Sequence, residues 1–194
     1  MDLHIGVLAL QGGFAKHAAM LNKMGVSTRF IKNPSTLKQC AGLIIPGGES
    51  TTLSLLMSRY GFYPAVRAFA RENPVMGTCA GAILLGKNAG DPRVRELKLM
   101  DITSQRNAYG RQTESFVASI DTPFTSNRTP LRAIFIRAPQ LQVESGNVRI
   151  LAEFEQMPVI VQQRNMLALT FHPELSDDPR IHRYFMNKMV QANH

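Results

Sequence analysis

Along the first half of the chain, short continuous apolar runs alternate with sets of apolar residues at helical spacing. Residues 5–10 form an apolar run that ends in Gln11-Gly12-Gly13, the pattern of a buried strand entering a glycine turn. Ala18, Leu21 and Met24 then predict a helix over 15–24, stopped by Gly25. A second strand is predicted over 26–31 and a third over 43–45, closed by Pro46-Gly47-Gly48. Ser50-Thr51-Thr52 supplies capping residues for a helix that places Leu53, Leu56 and Met57 on one face. Another helix is expected over 64–71. A very short strand at 75–76 leads into Gly77-Thr78-Cys79-Ala80-Gly81, and a further helix starts over 82–85.

The second half has a different rhythm. Strand-like runs at 116–120, 131–136, 148–152, 159–161 and 167–171 lie close together, which predicts an antiparallel or mixed extension of the sheet. A final amphipathic helix is expected over 179–191, with Ile181, Phe185 and Met189 spaced by four. The alternation in the first half predicts α/β architecture: a three-layer, mixed but mostly parallel sheet flanked by helices. No internal repeat or dividing linker is visible, so the expectation is one domain over 1–194.

Composition narrows this picture only a little. The chain has 194 residues, 44% of them hydrophobic, and no apolar run approaches the ~20 residues of a membrane span. Met1-Asp2-Leu3-His4 lacks the basic region and apolar stretch of an export signal, so a cytoplasmic location is expected. The net charge is +8, and five cations with no acid fall between Asp2 and Glu49: Lys16, Lys23, Arg29, Lys32 and Lys38. They read first as a solvated basic face and next as a docking surface for an acidic partner. No aromatic-interleaved basic motif points to nucleic acid. The two cysteines, Cys40 and Cys79, show neither C-x-x-C nor zinc-ligand spacing, and Cys40 reads as a small buried hydrophobe.

Cys79 stands in a different context. Gly77-Thr78-Cys79-Ala80-Gly81 has the G-x-nucleophile-x-G form of a tight strand-to-helix turn. The following helix points its amides at the sulfur, which favours thiolate, and the Ala80 N–H falls where an oxyanion would form. A thiol nucleophile needs an imidazole base and a group to orient it. In His172-Pro173-Glu174, an extended segment projects i and i+2 to one face, so the carboxylate reaches one ring nitrogen while the other faces the thiol. His4, His182 and His194 read as surface or terminal, and His17 as a helix-surface residue with some chance of lying near the site. Pro46-Gly47-Gly48-Glu49-Ser50 is a second glycine turn at a strand end. Its backbone is free enough to turn an N–H of Gly47 or Gly48 toward an oxyanion, and the phosphate-loop pattern is absent.

The pairing of Gly77–Gly81 with His172-Pro173-Glu174 resembles the class I glutamine amidotransferases, whose domain is flavodoxin-like. Leu10-Gln11-Gly12, Pro46–Thr52, Arg106-Asn107 with Gly110-Arg111-Gln112 and Ser115-Phe116, Phe135–Pro139 and Phe171–Leu175 resemble in particular the glutaminase subunits of pyridoxal 5′-phosphate synthase, across nearly the whole chain. The resemblance implies hydrolysis of glutamine to glutamate and ammonia, with Cys79 as nucleophile, His172 as base and Glu174 orienting it. It implies that Gly48, Glu49, Ser50, Arg106, Ile136 and Arg137 hold glutamine, a guanidinium suiting its α-carboxylate. It further implies a partner synthase subunit in a hetero-oligomeric complex, no nucleic acid, no membrane, and no metal or redox cofactor. Docking is expected to switch activity on by turning a Gly47-Gly48 peptide N–H toward the oxyanion, with Gln11-Gly12 and the early cations on the docking face. The glutaminase of a different amidotransferase fits less well, given the Arg106–Phe116 and Phe135–Pro139 segments. A non-catalytic binding protein would need no in-phase His-x-Glu pair. Two positions depart from the family pattern: Lys98 stands where glycine is expected, after a long charged stretch over 88–95, and Gln105 stands where an acid is.

Overall fold

In the computed structural model, which describes residues 4–105, 115–124 and 129–191, the apolar runs of the first half become parallel strands at the centre of one sheet. These are β1 (Ile5–Leu8), β2 (Thr28–Ile31), β3 (Gly42–Ile45) and β4 (Val75–Thr78). The seven-stranded sheet has the order β2-β1-β3-β4-β11-β10-β9. Its first five members are parallel, and β10 (Met157–Gln163) and β9 (Arg149–Phe154) add the antiparallel extension beyond β11 (Met166–Leu169). The parallel part has the 2-1-3-4-5 order of the flavodoxin-like doubly wound sheets, in which ligands bind outside the carboxyl ends of the strands.

Side-chain alternation divides the core between the two faces of the sheet. Leu8, Leu43, Ile45, Val75 and Ala168 face the layer containing α2 (Ser50–Arg59), α3 (Phe62–Phe69) and α4 (Ala80–Leu85). Ile5, Val7, Ile44, Met76, Leu167 and Leu169 face α1 (Phe14–Lys23) and α5 (Arg180–Tyr184). Every residue of β1, β3, β4 and β11 is buried, which is why these strands read as continuous apolar runs rather than alternating ones. The ribbon β6 (Ser115–Ile120) with β7 (Leu131–Ile136) covers the second face, with Phe116, Phe135, Phe154 and Phe171 meeting ring to ring.

Three expectations change. The pair β5 (Ile102–Gln105) and β8 (Gln140–Val143) lies outside the predicted strands, because each carries few apolar residues among polar ones and is only partly buried. The α2 cap is Glu49 rather than Ser50: its carboxylate accepts from the N–H of Thr51 at 3.2 Å and of Thr52 at 2.7 Å. Burial opposes ionisation, but these bonds outweigh it and hold the Glu49 carboxyl at about 2. The final helix is α5 followed by a π-helical turn over Phe185–Val190, not one regular helix.

Lys98 explains the glycine expected in its place. Its φ is 57°, in the left-handed region, and its N–H donates to the Gly86 carbonyl at 3.1 Å. An L side chain there costs about 1–2 kcal/mol, partly offset by the greater freedom glycine loses on folding. Lys98→Gly is therefore expected to stabilise the fold by about 0.5–1 kcal/mol, a rise of ~1–4 °C in Tm. Thermal denaturation of the two proteins checks this, and a lower Tm for the glycine variant would contradict it.

Candidate active site

The parallel strands deliver the predicted residues to one edge. Gln11 follows β1, Pro46-Gly47-Gly48 follows β3, Cys79 follows β4, and His172 follows β11. Cys79 occupies the turn itself, with φ 49° and ψ −106°. Non-glycine residues rarely adopt such backbone, and the surroundings enforce it. A Cβ on Gly77 would lie 2.6 Å from the Gly81 backbone, and one on Gly81 would lie 2.1 Å from the Ile45 carbonyl oxygen. Glycine at both positions lets α4 start against β3 and hold the thiol clear of the sheet.

His172 faces the thiol. Its ring and the Cys79 side chain both border Gly47, and Nδ1 lies 2.8 Å from Glu174 Oε1. Glu174 is in a short 3₁₀ turn (Pro173–Leu175), and its side chain is 1% exposed. Burial disfavours charge on His172, but the sulfur and the carboxylate outweigh it and push the imidazole up to about 10. Burial likewise works against ionised Glu174, but its histidine neighbours hold it below the usual carboxylate range. The site at rest is an imidazolium between a sulfur and a carboxylate, a nucleophile with a proton donor already charged beside it.

The remaining predicted residues gather round this centre to different degrees. Ile136, at the end of β7, places its carbonyl oxygen 3.9 Å from Cys79 Sγ. Arg137, the next residue, has a left-handed φ of 44°. Gly47 is in close contact with the centre: a Cβ there would lie 2.4 Å from His172 Cε1 and 3.1 Å from the Cys79 Cβ. Its N–H donates to Thr78 Oγ1 at 3.0 Å, so in this conformation it is turned away from an oxyanion at the thiol. Gly48 and Ala80 are left as the donors of the expected oxyanion set. The Gln11 side chain donates to the Glu49 carbonyl at 2.9 Å, and the Gly13 N–H to the Gly47 carbonyl at 3.1 Å, so the first glycine turn braces the second. Ser50 is buried at the start of α2. The Glu49 carboxylate caps α2, and its carbonyl accepts from the Leu53 N–H at 3.0 Å as well as from Gln11. Arg106 and the Asn107–Gln112 motif lie outside the described residues.

Two histidines sit where the sequence pattern does not place them. His17 and His182 are both 0% exposed, and His17 lies directly behind Glu174. His17 precedes Leu21 by four and His182 precedes Met186 by four, so each continues the buried stripe of its helix. Cys40 is buried, as expected, and burial raises its thiol despite nearby Arg29. Lys16, Lys23, Arg29, Lys32 and Lys38 are all exposed. Among the described residues no helix is long and apolar enough to cross a membrane.

A doubly wound α/β domain that turns a thiol out of a strand-to-helix elbow beside a His–Glu pair defines a class of cysteine-centred proteins. Comparison gives the family. Residues 7–191 match the SNO glutamine amidotransferase family. The chain is 43% identical to the pyridoxal 5′-phosphate synthase subunit PdxT of Francisella philomiragia over 96% of its length and 99% of that protein's. It is 46% identical to the subunit PdxT of Desulforudis audaxviator over 95% and 98%. A crystal structure of a glutamine amidotransferase, 39% identical, superposes with a TM-score of 0.89 over 96% of this chain and 98% of the other. A GMP synthase protein from Thermoplasma acidophilum, 16% identical with a TM-score of 0.71 over 99% of this chain and 96% of the other, shares the fold. The chain belongs to the SNO glutamine amidotransferase family.

The charge state of His172 is testable alone. Its ring resonances in NMR are expected to titrate with a midpoint near 10. In Cys79→Ala, which removes the sulfur and leaves burial in place, the midpoint should fall by at least about one unit, roughly 1.4 kcal/mol of lost interaction. An unchanged midpoint would mean that the sulfur does not interact with the ring.

Proposed function

We propose that this chain is the glutaminase of a pyridoxal 5′-phosphate synthase, acting in the cytoplasm and passing ammonia to a synthase partner. The observation that carries the reading is His172 beside Cys79 and 2.8 Å from Glu174, at the carboxyl ends of the parallel strands, where doubly wound sheets bind ligands. The Cys79 thiolate attacks the side-chain amide carbon of glutamine. The C–N bond then breaks, and His172 gives its proton to the departing nitrogen, releasing ammonia and leaving a glutamyl thioester. Water next attacks the thioester while His172, now neutral, takes a proton. The C–S bond breaks, and glutamate leaves with thiolate and imidazolium restored. Ala80 and Gly48 supply N–H groups to the oxyanion. Gly48, Glu49, Ser50, Arg106, Ile136 and Arg137 hold the substrate, the arginines meeting its α-carboxylate.

The Gly47 N–H bond to Thr78 fits a chain that is a poor glutaminase alone, its loop awaiting the partner. Docking that completes the oxyanion set is worth ~10²–10³ in rate. Glutamate formation measured across a titration of the synthase subunit should rise by that factor. Full activity with no synthase added would contradict the switch. In the complex, folded Cys79→Ala should form no glutamate and Cys40→Ala should match wild type. His172→Asn should lose essentially all turnover and Glu174→Gln less, since the amide still orients the ring. A folded Cys79→Ala protein with wild-type turnover would overturn the covalent mechanism.

A further inference from the structure

Behind the triad carboxylate lies a buried pair of imidazoles that the mechanism does not use. His17 on α1 and His182 on α5 are fully buried, with ring centroids 5.2 Å apart. His17 Nδ1 lies 2.9 Å from His182 Nε2. His17 Nε2 lies 3.3 Å from Glu174 Oε2 and 3.3 Å from Thr78 Oγ1. Glu174 Oε1 is taken by His172, and Oε2 makes no well-formed hydrogen bond among the described residues, its close polar contact being His17 Nε2 at 3.3 Å. An ionised carboxylate accepts on both oxygens, and leaving one of them buried and unmet is costly.

The carboxylate therefore decides where each proton sits. A lone pair of His17 facing Oε2 would be repelled, so Nε2 carries the hydrogen, shared between Oε2 and Thr78. Nδ1 must then accept, which requires the hydrogen of His182 on Nε2. The far nitrogen, His182 Nδ1, is left without a proton, and it is the ring nitrogen of this pair that is buried without a partner. The reverse assignment would leave an N–H unmet there and set a lone pair against the carboxylate. Burial, stronger than the pull of Glu174, keeps His17 below its ordinary value, so a neutral N–H dipole rather than a charge meets the carboxylate. Burial also pushes His182 down, to about 3. The titratable groups facing the pair are Glu174 and His172. Thr78 Oγ1 also accepts the Gly47 N–H, so one ring tethers both the triad acid and the loop beside the thiol.

We infer that His17, its tautomer set by Glu174 and matched by His182, is a positioning residue that holds Glu174 and the Thr78–Gly47 link in register with Cys79. This deepens the glutaminase reading and rests on it. The test uses the full chain with its synthase partner and compares wild type, His17→Leu and His17→Gln for glutamate kinetics, with the His172 NMR midpoint and Tm measured on each chain. His17→Leu should lower kcat by about 10–100-fold, the usual worth of a group that orients a catalytic one, with little change in KM. It should also shift the His172 midpoint downward. His17→Gln, whose amide N–H can stand near the Nε2 position, should recover part of both. His182→Leu should give a smaller loss, and the double leucine variant should be no worse than His17→Leu. A folded His17→Leu protein with wild-type kcat and His172 midpoint would overturn the inference, as would a drop in Tm alone. If His17→Leu does not fold, wild-type kinetics and midpoint in His182→Leu would overturn it. Absence of glutamate from the wild-type complex would sink the glutaminase reading, while the midpoint comparison would still decide the role of His17.

Discussion

The approach of Gly81 to the Ile45 carbonyl sets the position of everything else at the site. With no Cβ at 81, the first turn of α4 lies directly on the end of β3. Cys79, just before it, must then turn through left-handed backbone, and the thiol leaves the sheet beside the Pro46–Gly48 loop rather than over the core. The same closeness brings Gly47 onto the His172 ring, so three strand ends share one small space. A side chain larger than hydrogen at 81 would push α4 from β3 and separate the thiol from the loop expected to serve it.

Electrostatics in that space rests on one buried carboxylate. Glu174 faces a cationic imidazole on one oxygen and a neutral one on the other. The stability linked to these rings runs in opposite directions. His172 is raised in the folded state, so its contribution is complete below 6.5 and fades as pH climbs toward about 10. His182 is lowered, so its contribution is complete above 6.5 and fades as pH falls toward about 3. The fold is thus favoured around neutral pH with His172 charged and His182 neutral.

Much of this is legible in the sequence. The doubly wound core is plain because β1, β3, β4 and β11 are buried on both faces and so carry unbroken apolar runs. The Cys79 elbow and the His172-Pro173-Glu174 pair are legible because short-range sterics and in-phase projection need only a few adjacent residues. What stays hidden depends on long-range packing. The β5–β8 ribbon has too few apolar residues to announce itself. The α2 cap is obscured because a glutamate reaches back where a serine or threonine is the better prior. His17 and His182 look polar and therefore exposed, yet each lies on the apolar stripe of its helix. His17 is far from Glu174 in sequence and His182 lies on a separate helix, so only the folded chain joins all three. Lys98 goes the other way: a residue that looks out of place in the sequence holds the left-handed backbone that glycine would suit.

The central claim is that the Cys79 sulfur, beside His172, carries the glutamyl group during turnover. Acid quenching of the working complex with isotopically labelled glutamine, followed by peptide mapping of the chain by mass spectrometry, tests it most directly. The account predicts a labelled glutamyl thioester on the peptide containing Cys79 and none on that containing Cys40. Glutamate production with label on neither cysteine, or on Cys40 alone, would contradict it.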